Sequence, residues 1–341
     1  MQRFLQKILP YISIPIFVIG TNLTVDPSGY FIELDEPAEL LNNGKLLGNF
    51  TGYDERLLVE LLLEKKAGEH FDVIVLGSSR SLQINSAIFE NRTLLNLSVS
   101  QARIQDLVAI WNLLIKGNIT FEEIILNVDP ELIFGRPDGR WNSYNEDYRM
   151  GLVNLDLDVN TLTDDGKTSS KIEILLSPNV FRSSLKQLIQ GKGFEKFDVL
   201  SDTLGYTGAI KFPDGSLLYP KGKRDNGDQE NVSRFLSSKH HVFGSEDVIG
   251  LRAIILKKLV NAIKTKAKLT LFMAPYSSRL FSADSDYKLS VEKTRKYIEE
   301  NFEDIRRIGS FNLTGEYRNP KDFYDLNHPK REIVEEILSD Y

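Results

Sequence analysis

Short, wholly apolar runs alternate with amphipathic ones along this chain, and that alternation narrows the fold more than any other feature. The segments "DVIVLG" (72–77), "TLLNLSV" (93–99), "FEEIILNVD" (121–129) and "KLTLFMAPY" (268–276) read as strands, with "IRRIGSFNLTG" (305–315) as a last one. Between them fall segments with helical spacing of leucine and isoleucine: 54–71, 101–117, 245–265 and 287–302, with "KREIVEEILSDY" as the terminal helix. The third of these opens on Ser245 as a candidate cap. Short apolar strands separated by helices predict an α/β fold whose parallel sheet is covered on both sides.

The alternation breaks from Gly135 to about Val242, where the chain turns polar and carries two Pro-Asp-Gly turns, at 137–139 and 213–215. Glycine, serine and proline are too sparse there for a disordered spacer. Residues 135–242 are therefore expected as an insertion over the sheet edge, serving as a cap or substrate region, with "SSLKQLIQG" (183–191) as a short helix. The main domain is expected over 71–341 and residues 26–70 as a lead-in.

At the amino terminus, Arg3 and Lys7 precede the apolar stretch "ILPYISIPIFVIGTNLTV" (8–25), and no acidic residue comes before Asp26. A positive flank followed by an apolar run is the pattern of a signal peptide or signal anchor, with the remainder outside the cytoplasm. Small residues at cleavage spacing are missing, so residues 1–25 are expected to stay attached as a membrane anchor. The plainer alternative is a strand or helix packed on the domain.

Composition removes several function classes. The 341 residues carry a formal net charge of −6 and no long basic stripe, which argues against a nucleic-acid partner. The short cluster "KGKR" (221–224) reads as a solvated loop. With no cysteine, thiol nucleophiles and cysteine metal sites are excluded. Imidazole chemistry must use His70, His240, His241 or His328. The pair His240-His241 has no acidic or cysteine partner at ligand spacing and reads as loop rather than metal site.

In open α/β sheets chemistry gathers beyond the carboxyl ends of the strands. Those ends carry Gly77-Ser78-Ser79-Arg80, Asn96-Leu97-Ser98, Asn127-Val128-Asp129 and Pro275-Tyr276-Ser277, and the segment "DFYDLNHP" precedes the terminal helix. A serine hydroxyl needs an adjacent base to attack. His328 has Asp325 three residues earlier, placed to orient the imidazole and stabilise its protonated form. The backbone N–H groups of Ser79 and Ser98, with a nearby amide side chain, are candidate donors to an oxyanion. Arg80 is either a contact for an anionic substrate group or half of a structural ion pair. Ser78 and Ser79 alternatively cap a helix starting near Ser81, and Asp325 caps the terminal helix. Trp141, Tyr144 and Tyr148 either stack on a sugar or anchor the insertion.

The stretches "VLGSSRS", "NLSVS", "FNLTGEY" and "FYDLNHP", in that order, resemble the SGNH (GDSL-type) hydrolase superfamily over residues 72–129 and 268–341. Together with the amino-terminal segment they look most like its membrane-anchored branch of envelope polysaccharide modification, which includes the D-alanyl transfer protein of teichoic acids and the alginate O-acetylation proteins. The resemblance implies a flavodoxin-like three-layer α/β/α fold, with Ser79 as nucleophile, His328 as base and Asp325 as orienting acid. It implies a serine esterase or O-acyltransferase of the cell envelope that acts on a surface polysaccharide, beside a membrane-bound O-acyltransferase as acyl supplier. Such chemistry requires no metal or organic cofactor. The chain departs from the family's pattern in three places. Gly-Asp-Ser is Gly77-Ser78-Ser79, the glycine of the second block is Ser98, and the third block reads Asn127-Val128-Asp129-Pro130. The expected oxyanion and substrate contacts are thus Asn96, Ser98, Asn127, Asp129 and Arg80. The altered blocks also keep open a catalytically weak scaffold that binds glycan or a membrane partner through the insertion.

Overall fold

In the computed structural model the structure describes residues 2–26, 33–50, 53–134, 144–158, 171–189, 197–226 and 246–339. Five parallel strands make the central sheet: β2 (His70–Leu76), β3 (Leu94–Asn96), β4 (Thr120–Asn127), β8 (Lys268–Met273) and β9 (Arg306–Gly309). Their spatial order is β3-β2-β4-β8-β9. The chain therefore runs outward in one direction from β2 to β3 and in the other from β4 to β9. The reversal lies between β2 and β4, at whose carboxyl ends an open sheet of this kind forms its crevice.

Both faces of the sheet are buried, as the apolar strands require. Ile74 and Leu76 of β2 and Ile124 and Leu126 of β4 belong to the larger core, packed under α3 (Glu55–Lys65), α4 (Ile104–Lys116), α10 (Glu246–Lys264) and α12 (Ser285–Asn301). Val73, Val75 and Ile125 face the other way, against Ile84, Phe89 and the terminal helix α13 (Arg331–Leu338) through Val334 and Leu338. The alternation of side chains along each strand thus feeds two separate cores, one on each face. The result is an α/β architecture with helices on both sides of a parallel sheet.

The lead-in and the insertion form one unit. In the lead-in, α2 (Asp35–Asn42) precedes β1 (Leu46–Gly48), and β1 pairs antiparallel with β5 (Asp198–Leu200) and β6 (Ile210–Lys211). With β7 (Leu217–Leu218) they make a second sheet of order β5-β1-β6-β7. Within the insertion, α6 (Asn145–Asn154) lies on α4, and a Cβ at Gly151 would meet the Val108 carbonyl at 2.7 Å, so only glycine permits this approach. Tyr144 and Tyr148 are fully buried there, as anchors rather than a sugar platform. Trp141, the first Pro-Asp-Gly turn and His240-His241 lie outside the described residues.

Residues Gln2–Val25 are one helix, α1, and neither Pro10 nor Pro15 ends it. Among the described residues no helix is long and apolar enough to cross a membrane. The α1 helix ends against a helical hairpin of the insertion, α7 (Lys171–Leu176) and α8 (Pro178–Ile189). Asn22 Nδ2 donates to the Leu175 carbonyl at 2.8 Å, and Ser184 Oγ donates to Asn22 Oδ1 at 3.1 Å.

Candidate functional site

Strand β2 ends at Leu76, and the chain then folds tightly over its own end. Gly77 is required by close approach, because a Cβ there would stand 2.4 Å from Ser81 Oγ and 2.5 Å from Asn127 Cβ. The expected helix from Ser81 does not form. Residues 78–83 are a series of turns, closed by Ser81 N–H donating to the Ser78 carbonyl at 3.1 Å. Asn96 Nδ2 donates to the carbonyls of Ser81 and Ile84, both at 2.8 Å, and so replaces the bonds a helix would have made. Neither serine is therefore an α-helix cap.

The second part of the site is the turn before α13. Phe323 pairs with Pro329, and Tyr324 N–H donates to the His328 carbonyl at 2.9 Å, which leaves residues 325–328 at the bend. Asp325 Oδ1 accepts the backbone N–H groups of Asn327 and His328, each at 2.9 Å. The carboxylate thus caps its own turn rather than α13, whose flanking residue is Lys330. Leu326 is buried, and its carbonyl accepts Ser277 N–H beyond the end of β8.

Folding brings these two turns together across 249 residues of sequence. Ser79 Oγ lies 2.8 Å from His328 Nε2, and His328 Nδ1 lies 2.7 Å from Asp325 Oδ1. A carboxylate only accepts, so the neutral imidazole carries its proton on Nδ1 and turns its Nε2 lone pair to the Ser79 O–H. Two further bonds hold the turns in register. Arg80 Nε donates to the Asn327 carbonyl at 3.0 Å, and Gln83 Nε2 donates to the Pro329 carbonyl at 2.7 Å.

The acid is held by more than the histidine. Lys223 of α9 (Lys221–Asn226) places Nζ 2.7 Å from Asp325 Oδ2 and 4.4 Å from the Tyr219 ring centroid, and Tyr219 packs edge-on to the His328 ring at 5.9 Å. Burial would raise the Asp325 carboxyl, but His328 and Lys223 outweigh it and hold the group well below its ordinary value. The cluster "KGKR", read as a solvated loop, is instead the start of a helix that closes over the site. Sequence gave no indication of Lys223 or Tyr219, since both come from the insertion, and only tertiary structure sets them beside the turn.

The remaining expected contacts are mostly occupied within the protein. Ser98 N–H donates to Asn96 Oδ1 at 3.0 Å, and Ser98 Oγ meets Ser81 Oγ at 2.9 Å. Asn127 Nδ2 donates to the Phe272 carbonyl at 3.2 Å and to Asp129 Oδ1 at 3.3 Å, while Asn127 Oδ1 accepts the Ser78 N–H at 3.3 Å. Asp129 is buried and accepts from Ser78 Oγ through its other oxygen. Asn96, Ser98, Asn127 and Asp129 are thus braces of the site. Of the donors expected for an oxyanion, the Ser79 N–H has no partner among the described residues.

Arg80 is half of a structural ion pair, not a substrate contact. Its Nη1 lies 2.5 Å from Asp129 Oδ1, its Nη2 donates to the Ala274 carbonyl, and its guanidinium carbon lies 3.3 Å from the Tyr276 ring centroid. The side chain is almost fully buried, so a substrate cannot reach it. Burial disfavours the charge, yet Asp129 and its neighbours keep the guanidinium firmly protonated.

One group of potential metal ligands occurs among the described residues. His70, Asp72 and Glu122 bring ligand atoms within 4.8 Å of one another, at the amino-terminal ends of β2 and β4 and so at the other end of the sheet from Ser79. Asp72 there already accepts from both the backbone N–H and the hydroxyl of Thr93. In comparisons with known proteins, no family model matches the chain and no curated protein matches it.

Proposed function

We propose that the protein is an SGNH-like serine esterase or O-acyltransferase of the cell envelope, acting on acyl esters of a surface polysaccharide. The observation that carries this reading is the unbroken hydrogen-bonded series from Ser79 Oγ through His328 to Asp325. The Ser79 oxygen attacks the acyl carbon while His328 Nε2 takes its proton. The tetrahedral intermediate places its oxyanion near the Ser79 N–H, and His328 returns the proton to the departing alkoxide as the ester bond breaks. Water or a sugar hydroxyl, deprotonated by His328, then takes the acyl group from the serine. Asp325 stabilises the imidazolium in both halves and keeps the ring in the correct tautomer. The α1 helix serves as the tether, and a membrane-bound O-acyltransferase would be the natural acyl supplier. Turnover of p-nitrophenyl acetate and of an O-acetylated polysaccharide, by the native chain and by Ser79→Ala, tests the reading. Equal turnover by the two refutes it.

The occupied donors favour a second reading. Each missing oxyanion donor costs about 10²–10³ in rate, and the Ser98 N–H and the Asn127 amide are engaged elsewhere. A scaffold with weak turnover that binds glycan or a membrane partner through the insertion fits that state. Glycan binding that survives Ser79→Ala, beside negligible turnover by the native chain, supports it.

A further inference from the structure

Exposed apolar side chains gather on one small part of the molecule. Of seventeen large ones among the described residues, five lie on α1 and five on the α7–α8 hairpin. On α1 every described position from Tyr11 to Phe17 is exposed, Ile14 and Phe17 included, while burial begins only toward Asn22 and Val25. On the hairpin the exposed apolar residues are Ile172, Leu176, Leu185, Leu188 and Ile189, with Ile189 86% exposed. The two elements are joined through the Asn22 hydrogen bonds and through Phe17, whose ring meets Phe181 edge-on at 5.9 Å. They therefore gather ten exposed large apolar residues on adjoining elements rather than scattering them singly, and such a gathering marks an interaction site.

We propose that this surface docks on a lipid bilayer containing anionic lipid, with the hairpin resting in the head-group region beside α1. Two observations select lipid over protein as the occupant. First, Ile14 and Ile16 fall on opposite sides of α1, and both are exposed, as are Tyr11 and Phe17. A protein partner covers one side of a helix, whereas the acyl region surrounds it. Second, the charge is of the matching sign. The chain as a whole is acidic, yet Arg3 and Lys7 precede the apolar part of α1 with no acidic residue before Asp26. The hairpin carries Lys171, Arg182 and Lys186 against Glu173 alone, and the Arg182 and Lys186 side chains are exposed beside its apolar residues. An apolar face flanked by cations is the composition of a helix lying in the interface of an anionic membrane. The hairpin belongs to the same insertion as Tyr219 and Lys223, so docking would hold the cover of the site against the membrane surface. The proposal does not depend on Ser79 being a nucleophile.

The absence of cysteine allows a clean test. Single substitutions Ile14→Cys, Ile172→Cys, Ile189→Cys and the control Leu204→Cys, in the full chain, are each labelled with an environment-sensitive nitrobenzoxadiazole. Leu204 is 91% exposed and lies on neither element. Labels are read with vesicles of phosphatidylcholine alone and with added phosphatidylglycerol. The expected result is a blue shift, with quenching by nitroxide-bearing lipid, at positions 14, 172 and 189 but not 204. It should strengthen with the phosphatidylglycerol fraction and weaken in salt. A response at 14 alone overturns the docking of the hairpin. No response at any position, or a shift that follows protein concentration without vesicles, overturns lipid as the occupant.

Discussion

Lys223 Nζ stands 2.7 Å from one oxygen of Asp325, while the other oxygen takes the His328 Nδ1–H at 2.7 Å. The carboxylate thus divides its charge between a permanent cation and an imidazole that gains charge only during reaction. Lys223 therefore shares with His328 the task of holding the Asp325 carboxylate in place. Lys223→Met should lower kcat/KM on p-nitrophenyl acetate by about two- to fivefold, as expected for one partly exposed ion pair. Lys223→Arg should retain most of the native rate. A methionine variant as active as the native chain contradicts this role.

Asp325 should also link stability to pH. Folding holds its carboxyl below the ordinary value of about 3.9, so its contribution is complete above that pH and is lost as pH falls through the folded value. Asp325→Asn should cost on the order of 2 kcal/mol near neutrality. Urea midpoints of the two proteins should converge as pH drops below about 4. A gap that widens in acid would reverse the assigned sign.

Arg80 offers a contrast between structure and binding. Replacing it with methionine leaves the Asp129 carboxylate buried without its cation, which should cost about 3–5 kcal/mol. Denaturant unfolding should show this loss. A substrate contact would behave otherwise, raising KM while leaving the urea midpoint unchanged.

Gly215 couples the insertion to the sheet. Its φ is +81°, and a Cβ would meet the Asn96 carbonyl at 2.1 Å, while Asn96 N–H donates to the Asp214 carbonyl at 2.7 Å. Gly215→Ala should lower stability by about 1–3 kcal/mol and weaken turnover through the displaced cover. Urea unfolding measures the first and esterase assay the second. An unaltered midpoint would mean that the turn does not brace the site.

Much of the main sheet was readable because its strands are long enough to show unbroken apolar runs, as Val73–Leu76 and Ile124–Leu126 do. Ser79, Asp325 and His328 could be singled out because each lies at the end of such a run or just before a helix. The second sheet escaped notice, since β6 and β7 have two residues each and no period can show in so short a run. The turns after Gly77 resemble a helix start in sequence, because the bonds that decide the backbone come from Asn96, fifteen residues away from Ser81. Asn127 and Ser98 looked like oxyanion donors by position alone. Which acceptors had already taken their hydrogens depended on side-chain packing that spacing does not encode.

The central claim is that Ser79 is a nucleophile activated by His328. Reaction with a fluorophosphonate, followed by mapping of the adduct by mass spectrometry, tests it most directly. The account predicts one phosphonylated residue, Ser79, with labelling abolished in His328→Ala and in protein denatured beforehand. Labelling at another residue, or none in folded native protein, would contradict it.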